Sequence, residues 1–310
     1  DISTHVRDPK ILEHDGIYYM VLGARTKDDR GCVLVYTSHD LECWKYATRI
    51  ELGEKFGFMW ECPDLFELDG ELILVCCPQG VPADGWRYQN PHQCVWFRIE
   101  ADWEAPSFKI AGQGMPPMVD AGFDFYAPQS FADADGRRIM IGWAGCPDAT
   151  AQNPTVERGW QCALTVPRVL NMRDGKLCQW PAREVEQLRM ERVSVTAGET
   201  VGSPGRLFDA VVSCRGTKSI ELEVREGVVV CFASGMLTLD TGDEGYGRDK
   251  RSVELDELYC LRVLSDATML EVFVNDGEVA LTSRTYSSAA PAMQLRAEGD
   301  ASMEFYRLAR

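Results

Sequence analysis

Side chains able to bind polar ligands and to transfer protons recur at one place in a repeated pattern. Arg7, Asp8, Glu61 and Tyr126 each stand one or two residues before a proline. A proline ring crowds the preceding residue out of the helical region. The two residues before each proline are therefore predicted to have extended backbone at the start of a strand. Their recurrence favours one shared polar site. The alternative is that they are strand-end residues that satisfy turns.

The elements that must position these groups are three aligned segments in the first half of the chain. Pro9, Pro63 and Pro128, spaced 54 and 65 residues apart, are followed by a strand-like run, an Asp-Gly pair and a second run. Asp-Gly between apolar runs is a strong hairpin signal. Further strand-like runs follow at 32–36, 44–48, 94–99, 107–110, 163–166 and 177–180. Four short strands per repeat are typical of β-propeller blades.

A propeller arrangement predicts where the polar groups meet. Because the innermost strands of the blades surround a central channel, we expect Asp8 and Glu61 to converge on one pocket with Arg7 and Tyr126. Three blades do not close a ring, and an open array exposes strand edges and apolar faces. We therefore expect the remaining blades to come from another chain or from a longer sequence.

The second half of the chain has a different pattern. Residues 181–193 are predicted to form a linker helix, with Pro181 near its start. From residue 194 to residue 310, short alternating strands with turn signals favour a β-sandwich. Asn275-Asp276-Gly277 lies between two strand-like runs and predicts a hairpin. The fold class is therefore all-β, with propeller blades over 1–180 and a sandwich over 194–310.

Composition excludes several classes of function. The 310 residues carry a net charge of −16, which argues against nucleic-acid and anionic-lipid partners because these require a basic face. No apolar run is long enough to span a membrane. The 12 cysteines include no CxxC pair, and the four histidines are not spaced as zinc ligands. We expect reduced cysteines and a cytoplasmic protein.

Several segments in order resemble the motifs of glycoside hydrolase family 32, the invertases, fructanases and sucrose-6-phosphate hydrolases. They are HVRDPK at 5–10, MWECPD at 59–64, DAGFDFYAPQ at 120–129, GW at 142–143, GWQCALTVPR at 159–168 and EVFVNDG at 271–277. The resemblance covers essentially the whole chain. It implies a five-bladed propeller followed by a β-sandwich, with blades three to five present here.

The resemblance also implies roles for single residues. Glu61 would be the general acid/base and Asp8 the transition-state stabiliser, while Arg7 would bind sugar hydroxyls. Trp143 would form an apolar wall of the pocket, and Trp60 is a weaker substrate-binding candidate. Tyr126 is also a weaker candidate, and it is placed by the repeat. Each has a plainer alternative, since the tryptophans could belong to the core and Arg7 could form a structural ion pair.

One departure from the family pattern matters. The motif WMNDPNG, which carries the nucleophilic aspartate in the family, is absent from this sequence. The resemblance implies retaining hydrolysis of β-D-fructofuranosyl linkages in sucrose, sucrose 6-phosphate or short fructans, without a metal or cofactor. The absent motif predicts an N-terminally truncated chain that is inactive alone. The alternative is a non-catalytic fructoside-binding or remnant module. A phosphate contact by Arg87 or Arg158 is a guess.

Overall fold

A computed structural model describes residues 1–112 and 114–309, almost entirely as strands and turns. The chain forms two compact units. The first comprises Asp1–Val119 and Tyr126–Gly142, and the second comprises Asp120–Phe125 and the chain from Trp143 onward. The prediction of an all-β chain is confirmed.

The first unit contains two four-stranded antiparallel meanders and a further pair of strands. One meander is formed in order by β1 (Ile2–His14), β2 (Ile17–Thr26), β3 (Gly31–Ser38) and β4 (Lys45–Ile50). The other is formed by β5 (Met59–Leu68), β6 (Glu71–Gln79), β7 (Val95–Asp102) and β8 (Ser107–Ile110). They are followed by β9 (Tyr126–Ala132) and its neighbour β10 (Arg138–Trp143).

The Asp-Gly pairs form the predicted hairpins between the first two strands of each meander. Both residues of Asp15-Gly16 and of Asp69-Gly70 have positive φ, as a two-residue turn that matches the strand twist requires. Between β9 and β10 the connection is longer, and only Gly136 of the Asp135-Gly136 pair has positive φ. The turn chemistry of the sequence therefore determines where each inner strand turns back.

The residue before each repeat proline does not have the extended backbone conformation that was expected. Asp8, Cys62 and Ala127 have φ of 62°, 48° and 48°, in the left-handed region. Between Arg7 and Lys10, β1 advances three residues while its partner advances two, and β5 shows the same shift. This extra residue is a β-bulge, which bends a strand and redirects its side chains. The proline repeat therefore marks a bulge in β1 and in β5, and a left-handed residue at the equivalent position of β9.

The core of the first unit lies between the two meanders. Trp60 is fully buried, stacks on Phe97 with ring centroids 5.2 Å apart, and donates its indole N–H to the carbonyl of Phe56 at 2.7 Å. A Cβ atom on Gly23 would lie 2.2 Å from the Trp60 carbonyl oxygen, and one on Gly31 would lie 2.1 Å from the Trp60 ring. These two glycines let β2 and β3 approach β5 closely.

The second unit begins with a short hairpin and continues as two larger sheets. The hairpin is β11 (Arg168–Arg173) with β12 (Lys176–Pro181). The six-stranded sheet has the order β13 (Arg189–Thr196), β25 (Ser302–Leu308), β15 (Phe208–Ser213), β20 (Cys260–Asp266), β21 (Met269–Val274) and β22 (Val279–Arg284). The predicted hairpin at Asn275-Asp276-Gly277 joins β21 to β22.

The other large sheet has five strands, and a small sheet has two. The five-stranded sheet has the order β19 (Lys250–Glu254), β18 (Met236–Asp240), β17 (Val228–Ala233), β16 (Ser219–Arg225) and β24 (Arg296–Glu298). The small sheet pairs β14 (Thr200–Gly202) with β23 (Ala292–Gln294). Short 3₁₀ helices cover Pro154–Arg158, Arg183–Leu188, Gly242–Gly245 and Asn275–Gly277.

Two local predictions for the middle of the chain are wrong. The linker helix over 181–193 is a six-residue 3₁₀ helix, Arg183–Leu188, after which β13 starts at Arg189. Val185 packs, partly buried, against the cluster of Leu264, Phe273 and Ala280, but from Arg189 the chain pairs with β25 as a strand instead of continuing as a helix. The strand expected at 163–166 is a single bridge between Leu164 and Trp143. Residues 143–180 belong to the same compact unit as the residues predicted to form the sandwich. The domain boundary at residue 180 stays a prediction.

Two further findings concern the cysteines and the helices. Across residues 1–112 and 114–309, none of the cysteines forms a disulfide. Within the described part of the chain, no helix has the length and apolar character needed to cross a bilayer.

Candidate functional site

Glu61 is the centre of a polar cluster in the first unit. Its Oε1 accepts a hydrogen bond from Arg7 Nε at 2.8 Å and lies 2.6 Å from Arg7 Nη2. Its Oε2 accepts from Gln79 Nε2 at 2.9 Å and from the Tyr126 hydroxyl at 2.7 Å. The Glu61 side chain remains 16% exposed. We call these four residues the Glu61 cluster, in which three donors orient one solvent-accessible carboxyl group.

Asp8 lies beside this cluster. Its Oδ2 accepts a hydrogen bond from the backbone N–H of Cys62 at 3.0 Å, and the Cys62 thiol lies 3.6 Å from the same oxygen. Cys62 directly follows Glu61 and occupies the bulge of β5. The bulges of β1 and β5 therefore bring the Asp8 carboxylate against the backbone next to the Glu61 residue.

Burial determines the protonation of the neighbouring hydroxyl and thiol. Desolvation raises the pKa of Tyr126, and the nearby Cys77 and the hydrogen bond to Glu61 raise it further, so the hydroxyl stays protonated and donates. Desolvation also raises the pKa of Cys62, with added contributions from Cys77 and Asp8. A thiol held in its neutral form is a poor nucleophile. Cys62 therefore packs in this site and holds Asp8 through its backbone.

Close backbone contact between the meanders positions Arg7. Arg7 pairs with Gly23 across β1 and β2, and Gly23 lies directly against the backbone of Trp60 and Glu61. A side chain at Gly23 would separate β2 from β5 and move Arg7 away from the carboxyl group. Because Gly23 has no Cβ atom, β2 approaches β5 closely enough for Arg7 to reach Glu61.

Gln79 is a member of the cluster that the sequence did not reveal. It ends β6, two residues after Cys77, which pairs with Glu61, and forms a bridge with His92. His92 is buried, and its ring centroid lies 6.2 Å from that of Tyr126. Counting back along the hairpin from the Asp69-Gly70 turn puts residues 78–80 opposite 59–61, and the bulge in β5 shifts the pairing by one residue to 77–79. The register carried this signal, although the residue type did not.

The predicted site residues separate into groups. The structure brings Arg7, Glu61 and Tyr126 together, with Asp8 alongside. The prediction that Trp60 binds substrate is wrong, because its ring is fully buried in the core and has no surface to offer a ligand.

Trp143 lies in the second unit. It lines a cavity of about 220 Å³ together with Asp124, Cys146 and Arg248. Its role as a wall of a sugar pocket stays a prediction. Asp124 is buried there and forms a bidentate ion pair with Arg248, whose Nε and Nη2 donate to Oδ2 and Oδ1 at 2.6 and 2.7 Å.

The two arginines named for phosphate binding occupy peripheral positions. Arg87 pairs with Asp84 at 3.2 Å, and Arg158 is exposed at the end of a 3₁₀ helix in the second unit. Among residues 1–112 and 114–309, no group of three or more His, Cys, Asp or Glu side chains is arranged to hold a metal ion.

Comparisons with known proteins agree in both halves of the chain. The "Glycosyl hydrolases family 32 N-terminal domain" matches residues 1–181, and the "Glycosyl hydrolases family 32 C terminal" domain matches residues 185–308. A sucrose-6-phosphate hydrolase of Salmonella typhimurium is 36% identical over 302 residues, which are 92% of this chain and 61% of that protein. The chain thus spans less than two thirds of this relative's length.

Solved structures show the same relationship. A sucrose-6-phosphate hydrolase from Lactobacillus gasseri superposes with a TM-score of 0.88 at 26% identity, covering 99% of this chain and 67% of that one. A mutant Bombyx mori family 32 β-fructofuranosidase in complex with sucrose gives 0.84 at 29%, with coverage of 99% and 67%. These neighbours combine a β-propeller with a β-sandwich, and this chain has that fold class. The blade count stays a prediction. The chain belongs to glycosyl hydrolase family 32.

Proposed function

We propose that this chain carries the acid/base and the stabilising carboxylate for cleavage of β-D-fructofuranosyl linkages in sucrose or sucrose 6-phosphate. One observation carries the proposal: a partly exposed carboxyl group, Glu61, is held by three donors, and a second carboxylate, Asp8, accepts from the backbone N–H of the next residue, Cys62. Relatives named sucrose-6-phosphate hydrolase support the substrate class. A neighbour solved with sucrose supports a carbohydrate ligand.

The chemistry assigns a distinct task to each group. Protonated Glu61 gives its proton to the glycosidic oxygen as the bond to the fructosyl carbon breaks, and the carboxylate that remains later takes a proton from water. Arg7, Gln79 and Tyr126 hold that carboxylate by hydrogen bonds, one of them charge-assisted. Asp8 accepts hydrogen bonds from fructosyl hydroxyls while positive charge develops on the ring. Tyr126 acts only as a donor, because burial keeps its hydroxyl protonated.

Retention of configuration requires one more group. A carboxylate about 5–5.5 Å from the acid must attack the fructosyl carbon to form a covalent intermediate. The motif that carries this carboxylate in the family is absent from the sequence. We infer that these 310 residues bind the sugar and do not turn it over alone.

Calorimetric titration with fructose and with sucrose, alongside an assay for released glucose, tests the proposal. We expect saturable binding of both sugars, and no glucose release. Glu61→Gln and Glu67→Gln form a matched pair, since both residues lie on β5 and Glu67 is exposed. Only Glu61→Gln should alter the binding.

The two parts of the proposal fail separately. If neither fructose nor sucrose binds, the functional assignment is contradicted. Glucose release by the unaltered chain would contradict the inference about the nucleophile. A fall of about 10²–10⁴ in that release in Glu61→Gln would still support the acid/base role.

A further inference from the structure

The three strands that carry the site have no backbone ladder to hold them together. β1 and β5 belong to different four-stranded sheets, and β9 belongs to neither of these. In the described part of the chain, no backbone hydrogen bond joins one of these strands to another. The distances within the Glu61 cluster therefore depend on side-chain contacts between the strands and on packing.

A second set of contacts joins the same strands on the other side of the bulges. Lys10 Nζ donates to the Ser130 carbonyl at 2.7 Å and to Gln129 Oε1 at 3.2 Å, and it lies 3.4 Å from Asp64 Oδ1. Asp64 Oδ2 accepts from the Ser130 N–H at 2.6 Å. We call Lys10, Asp64, Gln129 and Ser130 the Lys10 cluster. It links β1, β5 and β9 through one lysine and one carboxylate.

The repeat explains why two clusters form. Arg7, Glu61 and Tyr126 each stand two residues before a repeat proline, whereas Lys10 and Asp64 each stand one residue after. Equivalent positions of adjacent inner strands therefore meet twice, three residues apart and on opposite sides of the bulge. Between the two levels lies Cys62, whose N–H donates to Asp8 and whose carbonyl accepts from Gln129 Nε2 at 3.4 Å.

Asp64 depends on Lys10 to compensate its charge, because the Asp64 side chain is buried. The Asp64 side chain is 2% exposed, and its Oδ1 makes no hydrogen bond. Arg138 is near enough to interact with the Asp64 charge, but Lys10 alone pairs with the carboxylate at close range in the described chain. Removing one partner of a buried pair leaves an uncompensated charge, whereas removing both does not.

We propose that Lys10 and Asp64 are positioning residues that hold Asp8 and Glu61 at the spacing needed for sugar binding and catalysis. The catalytic part rests on the proposed function, but the positioning itself does not. The strands approach one another at the Lys10 cluster, and the bulges transmit that spacing over three residues to the reacting groups.

Amide hydrogen exchange at Cys62, measured by NMR on the whole chain, tests the positioning without a sugar. In Lys10→Met and in Asp64→Asn we expect the Cys62 amide to exchange about tenfold faster or more, because its acceptor Asp8 shifts. Val33 in the buried part of β3 reports global opening and should keep its protection. The double variant should also exchange faster, because it lacks the contacts by which Lys10 links the strands. Lys45→Met, at an exposed lysine of β4, is the matched control.

The outcomes separate this inference from the proposed function. Cys62 protection that is unchanged in both single variants would overturn the positioning role. Equal loss at Cys62 and Val33 would also overturn it, since general destabilisation would explain the result. In a fructose titration we expect Kd to rise about tenfold in each single variant. If the unaltered chain binds no fructose, the proposed function fails while the exchange result still decides the positioning.

Discussion

Two arginine–carboxylate clusters in this chain use the same chemical groups in opposite ways. Arg168, in the second unit, is fully buried and donates all five of its N–H groups, to Asp120, Gln179, Glu271 twice, and Thr282, at 2.6–3.2 Å. Arg7 is 35% exposed, and its only carboxylate contact in the described chain is with Glu61. The Arg168 cluster is complete without a ligand, whereas the Glu61 cluster still faces solvent.

The difference shows that residue type does not separate a binding site from a structural network. Asp120 lies in a family motif, as Glu61 does, yet its two oxygens are occupied by Arg168, Thr282 and the backbone N–H of Gly122. What distinguishes the Glu61 cluster is its accessible surface, since each Glu61 oxygen, like each Asp120 oxygen, already has two donors. Substitutions in the two clusters should accordingly affect different properties.

The largest effect on stability is expected from Arg168→Met. The substitution leaves Asp120 and Glu271 buried without their cation, which costs about 3–5 kcal/mol in the free energy of unfolding. Urea denaturation measures this loss. Arg192→Met removes an exposed ion pair with Glu304 that solvent screens, so its cost should be much smaller. Equal losses in the two variants would show that the Arg168 cluster is not the structural network described.

An intermediate effect is expected from Gly23→Ala. The new Cβ would meet the Trp60 carbonyl oxygen at 2.2 Å, so β2 must move from β5 at a cost of about 1–3 kcal/mol. The same movement withdraws Arg7 from Glu61, so fructose affinity should fall together with stability. Gly53→Ala, at a position with open space around it, is the control. Unchanged stability in Gly23→Ala would contradict the close approach of the strands.

A smaller change in stability, with a larger change in function, is expected from Arg7→Gln. Its partly exposed ion pair contributes about 1 kcal/mol or less to the free energy of unfolding. Fructose Kd should nevertheless rise about tenfold, because the variant loses the cation that orients Glu61. Thermal unfolding and calorimetric titration measure the two quantities. A large stability loss with unchanged affinity would make Arg7 a structural residue like Arg168.

The smallest effect concerns the Cys62 thiol. Its raised pKa lowers the thiolate fraction near neutral pH, so iodoacetamide should label Cys62 more slowly than the exposed Cys43 and Cys162. Peptide mass spectrometry at pH 7 and pH 9 gives the rates. Labelling should speed up with pH for all three but remain slowest at Cys62. Rapid labelling of Cys62 at pH 7 would contradict its placement beside the Asp8 carboxylate.

Much of the site was predictable because it is built from a repeat. Alignment on the prolines grouped Arg7, Glu61 and Tyr126, and the Asp-Gly pairs indicated the hairpins. These are local signals that recur, so each instance supports the others.

What remained hidden depends on contacts between distant parts of the chain. Trp60 was predicted to bind substrate from its residue type. Gly23 and Gly31 let the other meander pack directly against Trp60, which is fully buried in the core. Gln79 enters through hairpin register, and Lys10 meets Ser130 across 120 residues of sequence. The helix expected at 181–193 ends at Leu188 because the residues that follow pair with β25, a strand distant in the sequence.

Side-chain NMR during a fructose titration tests the central claim most directly. The Nε–H signal of Arg7 and the amide signals of Gln79 report on the two oxygens of Glu61, and the Nε–H signal of Arg168 reports on the structural network. We predict saturable shifts at Arg7 and Gln79 with a common Kd, and no shift at Arg168. Saturation with fructose that leaves Arg7 and Gln79 unperturbed would contradict the assignment of the sugar site to Glu61.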